Sequence, residues 1–459
     1  MATRGTEHAA PGSTTPRRPG FAGSALLTWG TNVASAFFAL VSILIVARIL
    51  GPAGRGHVAL LTAIALLTGN LATLGVQEAN ANFAAAEPRT RRSLATNSVL
   101  LSLVLGAAAV GVVGVLVWTV PDVTGGSNRT LLWITLAFVP VIILEIYLLY
   151  LVQADYQFVV ANTAALAAPI VAVAGNAAFA ALGVLSVRSA VGVWLAGQAA
   201  GTTILAVYIW RRLAGFGCPD LALARRSLGF GLRAYVGRVM QLGNYRLDQW
   251  LLGAISGARE LGLYSVAVAW AEALWYLPTA LAAVQRPDLV RASRDAAGRQ
   301  AVRIFRGTTV VTAASAVVMI VLAPFLCVTV FGESFRGSVD QLRVLVIGAF
   351  GIVAVKLFGN ALVARGRPVL QSVSVGLGFA CTVILDIVLI PPFGGLGAAI
   401  ASTVAYTAAG VMVGVIFLRV LDRRPAELVP RVGDVAWLLR KVRDRLRRAR
   451  PPAEGAVAP

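Results

Sequence analysis

One apolar run of this chain, residues 228–252, carries more ionisable and hydrogen-bonding side chains than its setting tolerates cheaply. At 100° per residue, Arg238, Gln241, Tyr245, Asp248 and Gln249 fall within a stripe about 100° wide, with Arg246 about 80° to one side of Arg238. An ionisable group inside a membrane costs at least a few kcal/mol, so such a face meets a wet cavity or a protein partner. A guanidinium stays charged and offers a planar, bidentate fork to phosphate or carboxylate. The chemistry available here is anion binding, unless the arginines are neutralised by acidic neighbours. Asp248, Glu272 and Glu145 are the available carboxylates, and Asp248 is too close in sequence to Arg246 to face it along a helix. Arg233 lies nearer the run's end, where it can snorkel. Lys356 and Asp386 are single charges in two later runs, suited to substrate contact, to an ion or proton couple, or to pairing with each other.

Covalent chemistry has little material. The histidines are His8 and His57, no Walker sequence is present, and Cys218, Cys327 and Cys381 have neither metal-ligand spacing nor an even count. No metal site and no catalytic residue is expected, and the chain does not read as an enzyme. A glycosyltransferase or polymerase would also need a substantial loop rich in carboxylates or basic groups, and the loops on the arginine-poor side are short.

The elements that hold the polar face are membrane spans. Hydrophobic residues make up 58% of the 459-residue chain and charged residues only 13%, with a mean hydropathy of +0.79; a soluble domain is about 25% charged. The apolar runs exceed the roughly 9–11 residues of a barrel strand, so the spans are helices. Twelve are expected, near residues 24–46, 57–75, 94–120, 130–151, 159–185, 190–210, 228–252, 261–281, 302–328, 342–363, 370–390 and 396–417.

The net charge of +20 comes almost wholly from arginine, Lys356 and Lys441 being the two lysines. Apart from the few inside spans, these charges lie between spans and in a tail, which accounts for them by topology and lipid headgroups and argues against nucleic acid as a partner. Arg89, Arg91 and Arg92, then Arg211, Arg212, Arg225 and Arg226, then Arg286, Arg291, Arg294 and Arg299, then Arg365 and Arg367 mark one side; alternate loops hold about one arginine each or none. Positive loops stay inside, so a multi-pass protein of the cell membrane with both termini cytoplasmic is expected. The loop around Asp155 belongs inside yet has no basic residue. After Val435, Trp437, Leu438 and Leu439 the tail carries Arg440, Lys441, Arg443, Arg445, Arg447, Arg448 and Arg450. It reads as an ordinary positive-inside tail or as an amphipathic helix on anionic lipid.

A repeat organises the chain. Arg48-Ile49-Leu50-Gly51 running to Gly56 has the grammar of Trp250-Leu251-Leu252-Gly253 running to Gly262, and the turn before Tyr156 resembles that at Gly366. The offset of about 200 residues spans an even number of helices, so the halves are parallel repeats and a site belongs between them. The first span carries Ser24, Thr28, Asn32, Ser35 and Ser42 in a stripe about 80° wide, the expected mate of the arginine stripe. The expected divisions are a disordered cytoplasmic leader over 1–22, six-helix bundles over 23–212 and 228–420, a cytoplasmic joining loop over 213–227, and a basic cytoplasmic tail over 421–459.

These residues resemble a family. Val46-Ala47-Arg48-Ile49-Leu50-Gly51-Pro52 with Gly54 and Gly56, Asp248, Leu261-Gly262-Leu263-Tyr264-Ser265-Val266-Ala267, Phe331-Gly332-Glu333-Ser334-Phe335, Gly366-Arg367-Pro368, and Leu389-Ile390-Pro391 with Gly394 to Ala399 follow the order found in the polysaccharide flippases of the multidrug/oligosaccharidyl-lipid/polysaccharide exporter superfamily. The resemblance covers roughly residues 22–420. It implies an all-α membrane protein of about 12 spans, in two six-helix bundles around a central, often cationic cavity that alternates between its two openings. It also implies transport of undecaprenyl-diphosphate-linked oligosaccharide for cell-surface polysaccharide, beside a polymerase and glycosyltransferases. The diphosphate would meet Arg238 and Arg246, and the sugar Asn32, Gln241, Tyr245 and Gln249. Asp248, Glu272, Glu145, Lys356 and Asp386 would serve coupling or pairing. No cofactor is implied beyond coupling to a Na+ or H+ gradient or the membrane potential. Asp386 departs from the amide or neutral residue expected there, and the two extra helices of lipid II flippases are missing. A drug/cation antiporter of the same superfamily and a non-transporting envelope scaffold are the other readings.

Overall fold

The computed structural model describes residues 21–119, 126, 128–213, 215–431 and 433–449. The expected leader lies outside the described residues as far as residue 20, as does Arg450 in the tail. Among the described residues there is no strand. The N-terminal half holds α1 (Phe21–Ala72), α2 (Val76–Ala86), α3 (Arg91–Thr119), α4 (Arg129–Ala137), α5 (Val139–Ala154), α6 (Phe158–Ala181) and α7 (Val187–Leu213). The C-terminal half holds α8 (Leu221–Ile255), α9 (Gly257–Ala273), α10 (Tyr276–Arg291), α11 (Arg294–Pro324), α12 (Ser338–Ala364) and α13 (Pro368–Leu421), followed by α14 (Asp434–Ala449) in the tail.

Two helices are too long to be single spans. A straight helix of the 52 residues of α1 would run about 78 Å, against roughly 30 Å of hydrocarbon. Gly51, at φ 68°, and Pro52 break it into two limbs, because glycine takes positive φ without a Cβ clash and proline supplies no N–H to continue the ladder. Pro391, Pro392 and Gly394 at φ 53° do the same in α13. Among the described residues, eight helical segments are long and apolar enough to cross a membrane. Dividing α1 and α13 adds two, and α8 and the α9–α10 pair complete about twelve. α8 carries the polar stripe, and α9 and α10, of 17 and 16 residues, make one span between them.

Polar clasps fix the packing of each half. Asn162 Nδ2 donates to Thr28 Oγ1 at 3.2 Å and Asn176 Nδ2 to Ser42 Oγ at 3.0 Å, both pairs separated by 134 residues, so α6 runs parallel to the first limb of α1 without slipping. In the second half Thr382 Oγ1 donates to Asn244 Oδ1 at 2.7 Å, joining the first limb of α13 to α8 in the equivalent way.

The halves meet reciprocally. A Cβ on Gly56 would stand 1.6 Å from the Ala258 carbonyl oxygen, and one on Gly262 would stand 1.8 Å from that of Pro52; these are repeat-equivalent positions, as a two-fold interface requires. Around this end Ala47, Leu263, Val266, Phe331 and Phe335 form a buried apolar seam. Arg48 fastens it, donating from Nε to the Val330 carbonyl and from Nη2 to that of Thr329, each at 2.6 Å. Gly262→Ala is expected to lower the unfolding temperature in detergent, because backbone must move and overpacking costs about 1–3 kcal/mol. Gly414→Ala, where a Cβ meets nothing within 4 Å, is the control and should leave it unchanged.

One sequence expectation is corrected and one is explained. The joining loop expected over 213–227 ends at Asp220, whose carboxylate accepts from Leu223 N at 2.9 Å and starts α8 at Leu221; Arg225 and Arg226 look like loop by hydropathy but lie on helical turns outside the apolar run. Asp155, in the turn that lacks a basic residue, is supplied by neighbouring turns: Arg91 Nη1 at 2.8 Å and Arg212 Nε at 3.4 Å, with the Tyr208 hydroxyl at 3.1 Å.

Candidate functional site

The polar stripe of α8 lies against both halves. Arg238 Nη1 is 3.6 Å from Glu78 Oε1 on α2 and donates to the Tyr150 hydroxyl of α5 at 3.4 Å. Near it a Cβ on Gly231 would stand 2.5 Å from the Gly75 carbonyl carbon, the Tyr235 hydroxyl donates to the Leu71 carbonyl, and Arg226 pairs with Glu87 at 2.9 Å. This second seam closes the end of the molecule opposite the Gly56 and Gly262 contact. Arg238 therefore belongs to the C-terminal half by sequence and reaches the N-terminal half through its side chain.

About two turns further along α8 the stripe reaches a mixed cluster. Arg246 Nη1 lies 2.9 Å from Glu272 Oε1 of α9. Lys356 of α12 places its ammonium 5.6 Å from the Tyr245 ring centroid, close enough for a cation–π contact. Tyr245, Trp275 and Tyr406 form an aromatic trio with centroids 5.2 to 6.1 Å apart. Arg246 and Lys356 are the two cations of this cluster; Glu272 is the carboxylate in direct contact with Arg246, and Asp248 adds a more distant negative charge. Gln241 is half-buried on the same face.

A third group is fully enclosed. Asp248 is 2% exposed and Asp386 is 0% exposed. Asp248 accepts from the Tyr264 hydroxyl at 2.5 Å and from Ser402 Oγ at 3.1 Å through Oδ2, and from Gln249 N at 2.7 Å through Oδ1. Among the described residues, neither oxygen of Asp386 has a hydrogen-bond partner. Asn244 and Thr382 already join α8 to α13, and one helical turn on along both parallel helices brings Asp248 and Asp386 into electrostatic contact. The structure thus separates Lys356 from Asp386, the pairing open at the level of sequence.

Other predicted residues lie elsewhere. Glu145 meets neither arginine; Gln198 Nε2 donates to it at 3.4 Å, and Gly201 leaves room for its other oxygen. Thr28 and Ser42 of the first-span stripe turn into α6, while Asn32 is exposed and Gln249 buried. Glu78, Tyr150, Tyr264, Ser402, Trp275 and Tyr406 were not singled out from the sequence as site residues. Tyr264 and Ser402 carry no charge to mark them, and Glu78 sits in a polar break that reads as the end of a span.

The overall architecture is that of known transporters. An inward-facing multidrug resistance MATE family transporter of the MOP superfamily aligns with a TM-score of 0.67 at 15% identity, over 87% of this chain and 98% of the other. The lipid II flippase MurJ in an inward closed conformation aligns with a TM-score of 0.68 at 14% identity, over 92% and 97%. A MOP superfamily transporter from Pyrococcus furiosus, described as having a binding pocket of reverse polarity, aligns with a TM-score of 0.58 at 14% identity, over 87% and 95%. At these identities the likeness is one of fold. No curated protein matches the sequence significantly. The profile of one family, described as polysaccharide biosynthesis protein, matches residues 45–340, well over half of the chain, with Arg238, Arg246, Asp248 and Glu272 inside the match, and the chain belongs to that family.

Proposed function

We propose that this protein carries an undecaprenyl-diphosphate-linked oligosaccharide from the cytoplasmic to the outer leaflet of the cell membrane by alternating access, for cell-surface polysaccharide biosynthesis. The observation that carries the reading is Arg238 bridging both halves at one end of a stripe whose other end holds two further cations, Arg246 and Lys356. The diphosphate takes the places of Glu78 and Glu272 as the arginines' counter-charge. Losing the Arg238 to Glu78 tie loosens the seam at the arginine-rich, cytoplasmic end, and the halves rock about the Gly56 and Gly262 contact. The sugar lies along Gln241 and the aromatic trio, and the isoprenoid stays in lipid between the halves. Asp248 and Asp386 supply the coupling: an unbonded carboxylate enclosed in protein is tolerated when it holds a proton or a cation.

The test is outward movement of a fluorescent undecaprenyl-diphosphate oligosaccharide in proteoliposomes, detected by lectin or glycosidase access. Movement above empty liposomes is expected, and none with several glycans, in folded protein, would refute the reading. The enclosed Asp386 also favours a drug/cation antiporter; cation-driven efflux of a lipophilic amine without glycolipid movement would select that reading.

A further inference from the structure

The chain after α13 is fastened to α11 before it becomes helical again. Arg294 donates to the Val420 carbonyl at 3.1 and 2.6 Å, and Arg423 Nη2 to the Asp295 carbonyl at 2.8 Å. Arg306 donates from Nη1 to the Glu427 carbonyl at 3.1 Å and from Nη2 to Asp434 Oδ1 at 2.9 Å. Asp434 is 3% exposed and also accepts from Arg431 N at 2.7 Å. The Arg303 guanidinium lies 4.4 Å from the Trp437 ring centroid, and Leu438 is buried with Leu281, Ile304, Val353 and Leu357. The first turn of α14 is thus a built joint.

That joint uses one side of α14. At 100° per residue, Asp434, Trp437 and Leu438 span an arc about 100° wide. By sequence spacing alone, Val435, Leu439, Val442, Leu446 and Ala449 fall on a neighbouring arc about 80° wide, and Leu439 is 62% exposed. Arg443 flanks this second stripe on one edge and Arg445 on the other by the same spacing; Arg440, Lys441, Arg447 and Arg448 follow behind them, against a single acid, Asp444. The joint lies on the arginine-bearing first half of α11, ahead of the long apolar run that begins at Val310. The sixteen residues of α14 extend about 24 Å from there.

We infer that α14 lies on the bilayer surface next to α11 and binds anionic phospholipid headgroups, the apolar stripe in the acyl boundary and the flanking arginines at phosphate level. A helix with an apolar stripe edged by basic residues takes that position, and the joint to a spanning helix keeps it at the height of the headgroups. The occupant is therefore the anionic leaflet itself.

The test is amide hydrogen exchange over residues 439–449 of the full chain in nanodiscs of phosphatidylcholine alone or with phosphatidylglycerol. Exchange is expected to slow with phosphatidylglycerol and to recover with added salt. Each of Arg443→Gln, Arg445→Gln and Arg447→Gln should reduce that protection about fivefold, the equivalent of about 1 kcal/mol per basic residue near an anionic surface. Unchanged exchange over α11 reports that the variants remain folded. Equal exchange in both lipids, or protection that survives the triple arginine variant, would overturn the inference and point to a protein partner for the stripe.

Discussion

Arg246→Gln, in protein that folds and inserts normally, is expected to slow movement of a diphosphate-linked lipid by about tenfold to a hundredfold, and the Arg238→Gln/Arg246→Gln double variant to reduce it to the level of empty liposomes. A hydrogen bond to a charged group contributes about 1.5–3 kcal/mol, and each 1.4 kcal/mol is a factor of ten. The guanidinium of Arg246 is 42% exposed beside Glu272, so its present ion pair is partly screened and contributes little to stability. The same exposure leaves it accessible to an incoming anion. Two companions separate substrate binding from simple pairing. Arg246→Lys keeps the charge but loses the fork, and should retain part of the activity. Glu272→Gln removes the competing carboxylate; it should tighten glycolipid binding while slowing release, so KM and maximal rate fall together. Full activity in the double variant, measured in proteoliposomes with matched protein content, would eliminate the arginine site.

The spans and their division were legible because hydropathy, arginine asymmetry and glycine grammar all act locally. Gly51, Gly366 and Gly394 sit at positive φ, so the motifs that mark them are turn signals as much as family signatures. The repeat was visible for the same reason, and the reciprocal Gly56 and Gly262 contact gives it a physical cause. The start of α8 was missed because its first turns, with Arg225 and Arg226, form a polar helix that a hydropathy reading takes for loop. The site was legible only in part. The stripe on α8 identified Arg238, Arg246 and Asp248 from one helix's own periodicity, but their partners come from α2, α5, α9 and α13, and periodicity within one helix says nothing about which neighbour it meets. Glu145 shows the limit: an intramembrane carboxylate by sequence, it bonds to Gln198 of its own half. The polar mate stripe of the first span divides likewise, Thr28 and Ser42 being spent on clasps with α6.

Asp386→Asn is expected to stabilise the protein in cation-free buffer while abolishing the cation dependence of transport, and the opposite signs make it the more searching test of coupling. An enclosed carboxylate carries a desolvation penalty of several kcal/mol that only a counter-charge or hydrogen bonds offset; both oxygens of Asp386 lack such bonds and Asp248 adds a second negative charge. The amide replaces the charge with a neutral group whose burial costs about 1–3 kcal/mol on mutational scales, so a net gain of about 1–3 kcal/mol follows. Asp248→Asn should behave differently, because it weakens bonds that exist, those from Tyr264 and Ser402, and a loss of about 1–3 kcal/mol is expected. Thermal unfolding in detergent, repeated across sodium and potassium concentrations and across pH, distinguishes the ligand. A ligand bound only by the native state raises stability by RT ln(1 + [L]/Kd). A rise with sodium in the parent protein that Asp386→Asn removes identifies a sodium site, and a rise on acidification alone identifies a proton site. Insensitivity of the parent protein to both would mean that this carboxylate pair drives nothing and that the membrane potential, acting on the charged substrate itself, must supply the work.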